Sequence, residues 1–188
     1  MRIVVGITGA SGSIYGYSLV RTLSELGVDT YVVATKMGAQ VMQFECGVKI
    51  EELKKYATLL DNQNLFASVA SGSFLTDGMV IVPCSMNTLG GIANGVGDTL
   101  LSRTASVVLK EQRKLIIVTR ETPLHLIHLE NMTQLTRAGA MIMPAAPGFY
   151  HRPTEIWELV NFMVARILDS FGIEHELLAR WGEKEGSR

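Results

Sequence analysis

The sequence predicts an α/β protein: one doubly wound domain with a mostly parallel sheet and helices on both faces. Three observations predict it. Short aliphatic and β-branched runs recur at intervals long enough for a crossover helix. Each run reads as apolar on both faces, as strands of a covered parallel sheet do. Each is followed by a small-residue turn and, in most cases, an amphipathic stretch, giving the alternation of a Rossmann-like domain. The 188 residues suit a single domain with a large core. The expected division is a domain over 1–181, ending in an apolar docking segment at 173–181, and a polar tail over 182–188.

The first strand, 3–7, runs into TGASGSIYG and a helix over 13–26 that Gly27 ends. The second, 30–34, leads to helical patterns at 39–46 and 50–56. The third, 79–82, is followed by PCSMNTLGGIANG, which reads as a loop, and by a helix over 99–111. The fourth, 115–118, precedes TRETPLH and a helix over 124–137, with Gly139 just beyond its end. The fifth, 140–143, gives PAAPGFYHRP and a closing helix over 155–171 before Gly172. Glycines in these places are helix-ending residues, and parallel neighbours joined through helices require right-handed crossovers.

Composition removes several function classes. Seventeen basic against 18 acidic residues give a net charge of -1, which leaves no electrostatic footprint for nucleic acid. The two cysteines, Cys46 and Cys84, form no CxxC pair and no disulfide framework, as in a reducing compartment. No stretch approaches the roughly 18 apolar residues of a membrane span, and 3–7 is too short for a signal core. The expectation is a cytoplasmic protein without nucleic-acid or membrane partners.

In a doubly wound sheet, ligands sit beyond the carboxyl ends of the strands. Gly9, Ala10, Ser11 and Gly12 let backbone approach a ligand closely, and the helix that follows presents free N–H groups, so a phosphate is expected at the Ser11 loop. A tight turn without ligand is the plainer reading. A dinucleotide fits less well. The spacing from Gly12 to Gly16 is one residue longer than the dinucleotide fingerprint has, and Ala34, Thr35 and Lys36 offer no carboxylate for a ribose. After the third strand, Ser85, Met86, Asn87 and Thr88 add donors suited to a phosphate or a polar ring edge. Cys84 reads as a small buried thiol in preference to a nucleophile. His125 and His128 stand three apart near Glu121 and Glu130, but no third ligand is evident, so no metal site is expected. His151 reads as a loop hydrogen-bonder. On their own residues, Arg166 reads as a surface arginine and Trp181 as an anchor for the tail.

TGASGSIYG, SGSF at 71–74, PCSMNTL, LKEQRKL, RETPLHLIHLENM, PAAPGFYHRP and ARWGE, in this order from Arg2 to about Glu183, together closely resemble the UbiX-type flavin prenyltransferases. The resemblance implies reduced FMN as prenyl acceptor. The dimethylallyl group of dimethylallyl phosphate is joined to its N5 and C6, and the prenylated FMN serves a UbiD-type decarboxylase. It places FMN on Gly9, Ala10, Ser11, Thr35, Ser85, Met86, Asn87, Thr88 and Arg120. It places dimethylallyl phosphate on Lys110, Tyr150 and Arg166, with Trp181 as a further aromatic face. Ser11, Glu45, Lys110 and Glu121 are the implied catalytic residues. No metal is implied, and the sequence has no DDxxD-like cluster to hold one. A homododecamer with sites shared between subunits is implied as well. Some relatives carry tryptophan near the position of Phe66, a departure in the aromatic lining.

This chemistry suits the residue types. Ionising an allylic phosphate leaves an anion and a spread cation that a dry site must stabilise together; Lys110, Arg120 and Arg166 suit the first and aromatic rings the second. Two alternatives stand beside it. A flavin-dependent cysteine decarboxylase shares a PCSMNT-like loop but is expected to use a histidine on an early helix, and no histidine here precedes His125. A non-catalytic FMN carrier would need the flavin loops without a second phosphate site.

Overall fold

The computed structural model describes residues 1–178. Trp181 and the tail 182–188 lie outside the described residues. The chain divides into two compact units, Met1–Ala145 and the segment from Ala146 onward.

The first unit contains a six-stranded sheet: β1 (Arg2–Ile7), β2 (Asp29–Ala34), β3 (Thr58–Leu60), β4 (Gly78–Cys84), β5 (Lys114–Thr119) and β6 (Met141–Pro144). All pairs are parallel, in the order β3-β2-β1-β4-β5-β6. The chain winds from β1 outward to β3, then returns to β4 and winds the other way. With right-handed crossovers, α1 (Ser13–Glu25) and α2 (Lys36–Cys46) cover one face. The other carries α3 (Met86–Ala93), α4 (Leu100–Lys110) and α5 (Leu126–Arg137). The reversal of strand order falls between β1 and β4.

Burial explains why these runs are strands. Every residue of β4 is buried, and Val4, Met79, Ile81 and Ile117 share one core cluster with Leu89, Leu101, Ala105 and Val108. The other face needs close helix approach. A Cβ at Gly16 would stand 2.5 Å from the Val82 carbonyl oxygen, and one at Gly38 would stand 2.5 Å from that of Ile7. Glycine at these positions lets α1 and α2 lie directly on the sheet.

Three elements differ from the sequence expectation. β3 is a sixth strand, too short at three residues and too near the edge to show a periodic signal. Residues 50–55 form a 3₁₀ helix, not a regular α turn. PCSMNTLGGIANG is not a loop: α3 starts at once after β4, with Ser85 as its cap accepting from the Thr88 N–H at 3.3 Å. Gly90 and Gly91 lower helix propensity there, but burial of Met86, Leu89, Ile92 and Ala93 outweighs it, since packing supplies most helical stability in proteins.

The second unit holds α6 (Ile156–Phe171), ended by Gly172 in the left-handed conformation at φ 71°. Its start is tied by the Glu158 carboxylate, which accepts from the N–H groups of Thr154 and Glu155 at 2.6 and 3.0 Å.

Candidate active site

The carboxyl ends of β1, β2, β4 and β5 bring together Gly9, Ala10, Ser11, Thr35, Ser85, Met86, Asn87, Thr88 and Arg120. The Arg120 Nε donates to the Ser11 carbonyl oxygen at 3.1 Å, joining the β1 and β5 ends. Glu45 reaches the same place from the last turn of α2. Its Oε2 accepts from the N–H groups of Gly12 and Ser13 at 2.9 and 3.0 Å. Partial burial pushes the Glu45 carboxyl up, but hydrogen bonds from Ser11, Gly12 and Ser13 and the charge of Arg120 outweigh it and hold the group below the usual range. Glu45 is therefore an anion at neutral pH, seated on the start of α1.

That corrects the place expected for a phosphate. The first N–H groups of α1 already carry a carboxylate. Those at the start of α4 are also taken, because the Asn62 carbonyl oxygen and Oδ1 accept from Leu100 and Leu101 at 2.8 and 2.9 Å. Among the described residues, the N–H groups of Lys36 and Met37 in α2, and of Met86 and Asn87 in α3, have no partner. Between these two helix starts lies a cavity of 380 Å³, whose lining includes Thr35, Asn87, Thr88, Asp98, Thr99 and Ser102. Free donors, hydroxyls and volume converge there, so the residues present fit a monophosphate. Asn62 and Asp98 were not singled out from the sequence. Asn62 lies in an irregular segment, and Asp98 follows glycines that read only as a turn.

Other expectations divide. Cys84 is buried, and burial pushes its thiol far above the ordinary range, which removes it as a nucleophile. His125 occupies the N-cap position of α5 without a side-chain capping bond and stacks on His128 with ring centroids 3.4 Å apart. His151 is not a hydrogen-bonder: both ring nitrogens are buried without a partner. The reason is its packing, parallel to the Phe162 ring at 5.7 Å between centroids. Glu121 is exposed, and its Oε1 accepts from the Thr122 N–H at 3.0 Å.

Lys110 stands apart from this cluster. It ends α4, pairs with Glu111 and lies beside Gly72, where the amino ends of β4 and β5 pair through Gly78 and Lys114. Six strand residues, about 20 Å, separate that edge from Arg120. In the second unit, Tyr150 stands edge-on to Phe162 at 5.8 Å. Arg166 donates to Asp169 Oδ2 at 3.3 Å beside a cavity of 510 Å³.

A family model described as Flavoprotein matches residues 1–168. The flavin prenyltransferase UbiX of Alkalihalophilus pseudofirmus is 48% identical over 190 residues, covering 95% of each chain. Two solved structures are similar throughout. AnUbiX (PadA1) in complex with FMN and dimethylallyl pyrophosphate has a TM-score of 0.95 at 42% identity, over 98% of both chains. A dodecameric FMN-dependent UbiX-like decarboxylase from Escherichia coli O157:H7 has a TM-score of 0.94 at 43% identity, over 96% of this chain and 99% of that one. With fold, strand-end residues and near-complete coverage in agreement, the chain belongs to the flavoprotein family and, within it, to the UbiX-type flavin prenyltransferases.

Proposed function

We propose that the protein joins the dimethylallyl group of dimethylallyl phosphate to N5 and C6 of reduced FMN. The observation that carries the reading is the pair of free helix starts around Thr35 and Asn87, a cradle for one phosphate, beside the Ser11, Glu45 and Arg120 cluster. Reduced FMN supplies the two nucleophilic ring positions.

Thr35, Ser85, Met86, Asn87 and Thr88 would hold the flavin phosphate, and Gly9, Ala10, Ser11 and Arg120 its remaining polar edge. Lys110, Tyr150 and Arg166 bind the prenyl donor. The cations neutralise the departing phosphate, Arg166 as a planar fork and Lys110 as a point charge. Tyr150 and Trp181 offer ring faces worth roughly 0.5 to 2 kcal/mol each to the allylic cation. Glu45, ionised, orients the Ser11 hydroxyl, and Glu121 accepts the proton that leaves C6. Because Lys110 lies at the opposite sheet edge from Arg120, a second copy of the chain would supply it, in keeping with a homododecamer. The prenylated FMN passes to a UbiD-type decarboxylase, in the cytoplasm.

The test incubates the protein with reduced FMN and dimethylallyl phosphate in excess EDTA, followed by mass spectrometry of the extracted flavin. A gain of one C5H8 unit is expected, undiminished by chelation. Unchanged flavin would identify a carrier, and loss of product with EDTA would overturn the assignment of leaving-group charge to Lys110 and Arg166. A parallel arm with dimethylallyl pyrophosphate ranks the two donors.

A further inference from the structure

We infer that Thr8 is the positioning residue of the phosphate cradle, fixing the two helix starts between which the flavin phosphate binds. This rests on the proposed flavin reading. Thr8 follows β1 directly and is wholly buried. Its hydroxyl donates to the Pro83 carbonyl oxygen and accepts from the Ser85 N–H, each at 2.8 Å, and its own N–H donates to Pro83 at 3.3 Å.

The strands alone do not hold these groups. Pairing of β1 with β4 ends at Gly6 and Ile81, and the register of β4 shifts between Ile81 and Cys84. Beyond that point the Thr8 hydroxyl continues the connection between the two strand ends. It grips the residue that starts α3, since the Ser85 Oγ in turn accepts from the Thr88 N–H and donates to the Thr88 Oγ1.

The start of α2 is set against the same stretch. The Thr35 N–H donates to the Ile7 carbonyl oxygen at 2.9 Å. A Cβ at Gly38 would stand 2.5 Å from that oxygen and 3.1 Å from the Thr8 carbonyl carbon. Both arms of the cradle are therefore referenced to Ile7 and Thr8. A valine would fill the same volume without burying a polar group, so packing gives no reason for the hydroxyl. Its two hydrogen bonds do, because losing it strands the part-buried Ser85 N–H and leaves the Pro83 carbonyl oxygen only the longer bond from the Thr8 N–H.

The experiment compares FMN with riboflavin, which lacks the phosphate, in fluorescence titrations of the wild type, Thr8→Val and Thr8→Ser. The valine variant should bind FMN about tenfold more weakly or worse with riboflavin affinity unchanged, and serine should restore FMN binding. A destabilised fold would lower both affinities together. The inference is overturned if valine keeps the wild-type preference for FMN, if it loses both ligands equally, or if serine behaves like valine. Should the valine variant fail to fold, Thr8→Cys, similar in size to serine but a weak hydrogen-bonder, replaces it and must show the same split. A wild type that binds riboflavin as tightly as FMN overturns the phosphate reading itself, whereas a wild-type preference that the variant retains overturns Thr8 alone.

Discussion

Glu45 belongs to α2, yet its charge acts on α1. The carboxylate caps the Gly12 and Ser13 N–H groups, where the positive end of the helix dipole favours an anion. Its depressed pKa makes this cap a pH-linked contribution. A group with a lowered folded pKa stabilises above its unfolded value, and the contribution is lost as pH falls through the folded value. Glu45→Ala should therefore lower the melting temperature at neutral pH, and the gap to wild type should narrow as pH drops through and below the ordinary carboxylate range. Thermal denaturation at a series of pH values measures this; a gap independent of pH would show that Glu45 acts there only by packing. The same residue explains why the Ser11 loop was misleading in sequence. Glycines and a helix start announce an anion site, but nothing local announces that a side chain 33 positions away from Gly12 already fills it.

At the scale of elements, β1, β4 and β5 were legible because near-complete burial leaves uninterrupted apolar runs, β2 and β6 show as aliphatic-rich runs though β6 has no buried residue, and so five of six appear in the sequence at nearly their observed bounds. β3 and α3 were not. The first is three residues on an edge, and the second contains two adjacent glycines whose cost is offset only by packing that no local window displays. The polar segments after the strands were legible as a set gathered at one end of the sheet, but their division between a filled helix start and two free ones was not. α4 shows the same dependence on distant residues. Its first N–H groups are capped by Asn62, 39 positions from Leu101, so the long segment leading into β4 is pinned to the start of a helix beyond it. Asn62→Ala should cost about 1 kcal/mol, the usual worth of a side-chain helix cap. Urea denaturation would show this as a lower midpoint with unchanged slope. Because Thr99 and Ser102 line the cavity proposed for the phosphate, FMN affinity should fall in the same variant; a stability loss with full FMN affinity would separate the cap from the cavity.

For the whole molecule, the placement of Lys110 matters most. It closes α4 at the amino edge of the sheet, while Glu121 follows Arg120 at the carboxyl edge. The two cannot meet across the roughly 20 Å of β5 within one chain. If both serve one reaction, each site must combine Glu121 of one subunit with Lys110 of another. Lys110→Ala should then weaken donor binding and slow turnover together. Glu121→Gln should bind both ligands but turn over ~100 to 10,000-fold more slowly, the range for lost general acid–base help. Each variant alone should be strongly impaired, but a shared site allows rescue. In randomly mixed oligomers at equal amounts, about a quarter of the sites pair an intact Glu121 with an intact Lys110, since the two come independently from different subunits. Co-refolding or co-expressing the two variants should therefore restore about a quarter of wild-type activity, and physical mixing of preformed oligomers should restore it only as fast as subunits exchange. Activity that stays at the level of the single variants after co-assembly would place Lys110 outside the reaction. A rescue of this size would instead make the oligomer a condition of catalysis, because the sheet that organises the flavin end of the site also holds its own lysine out of reach.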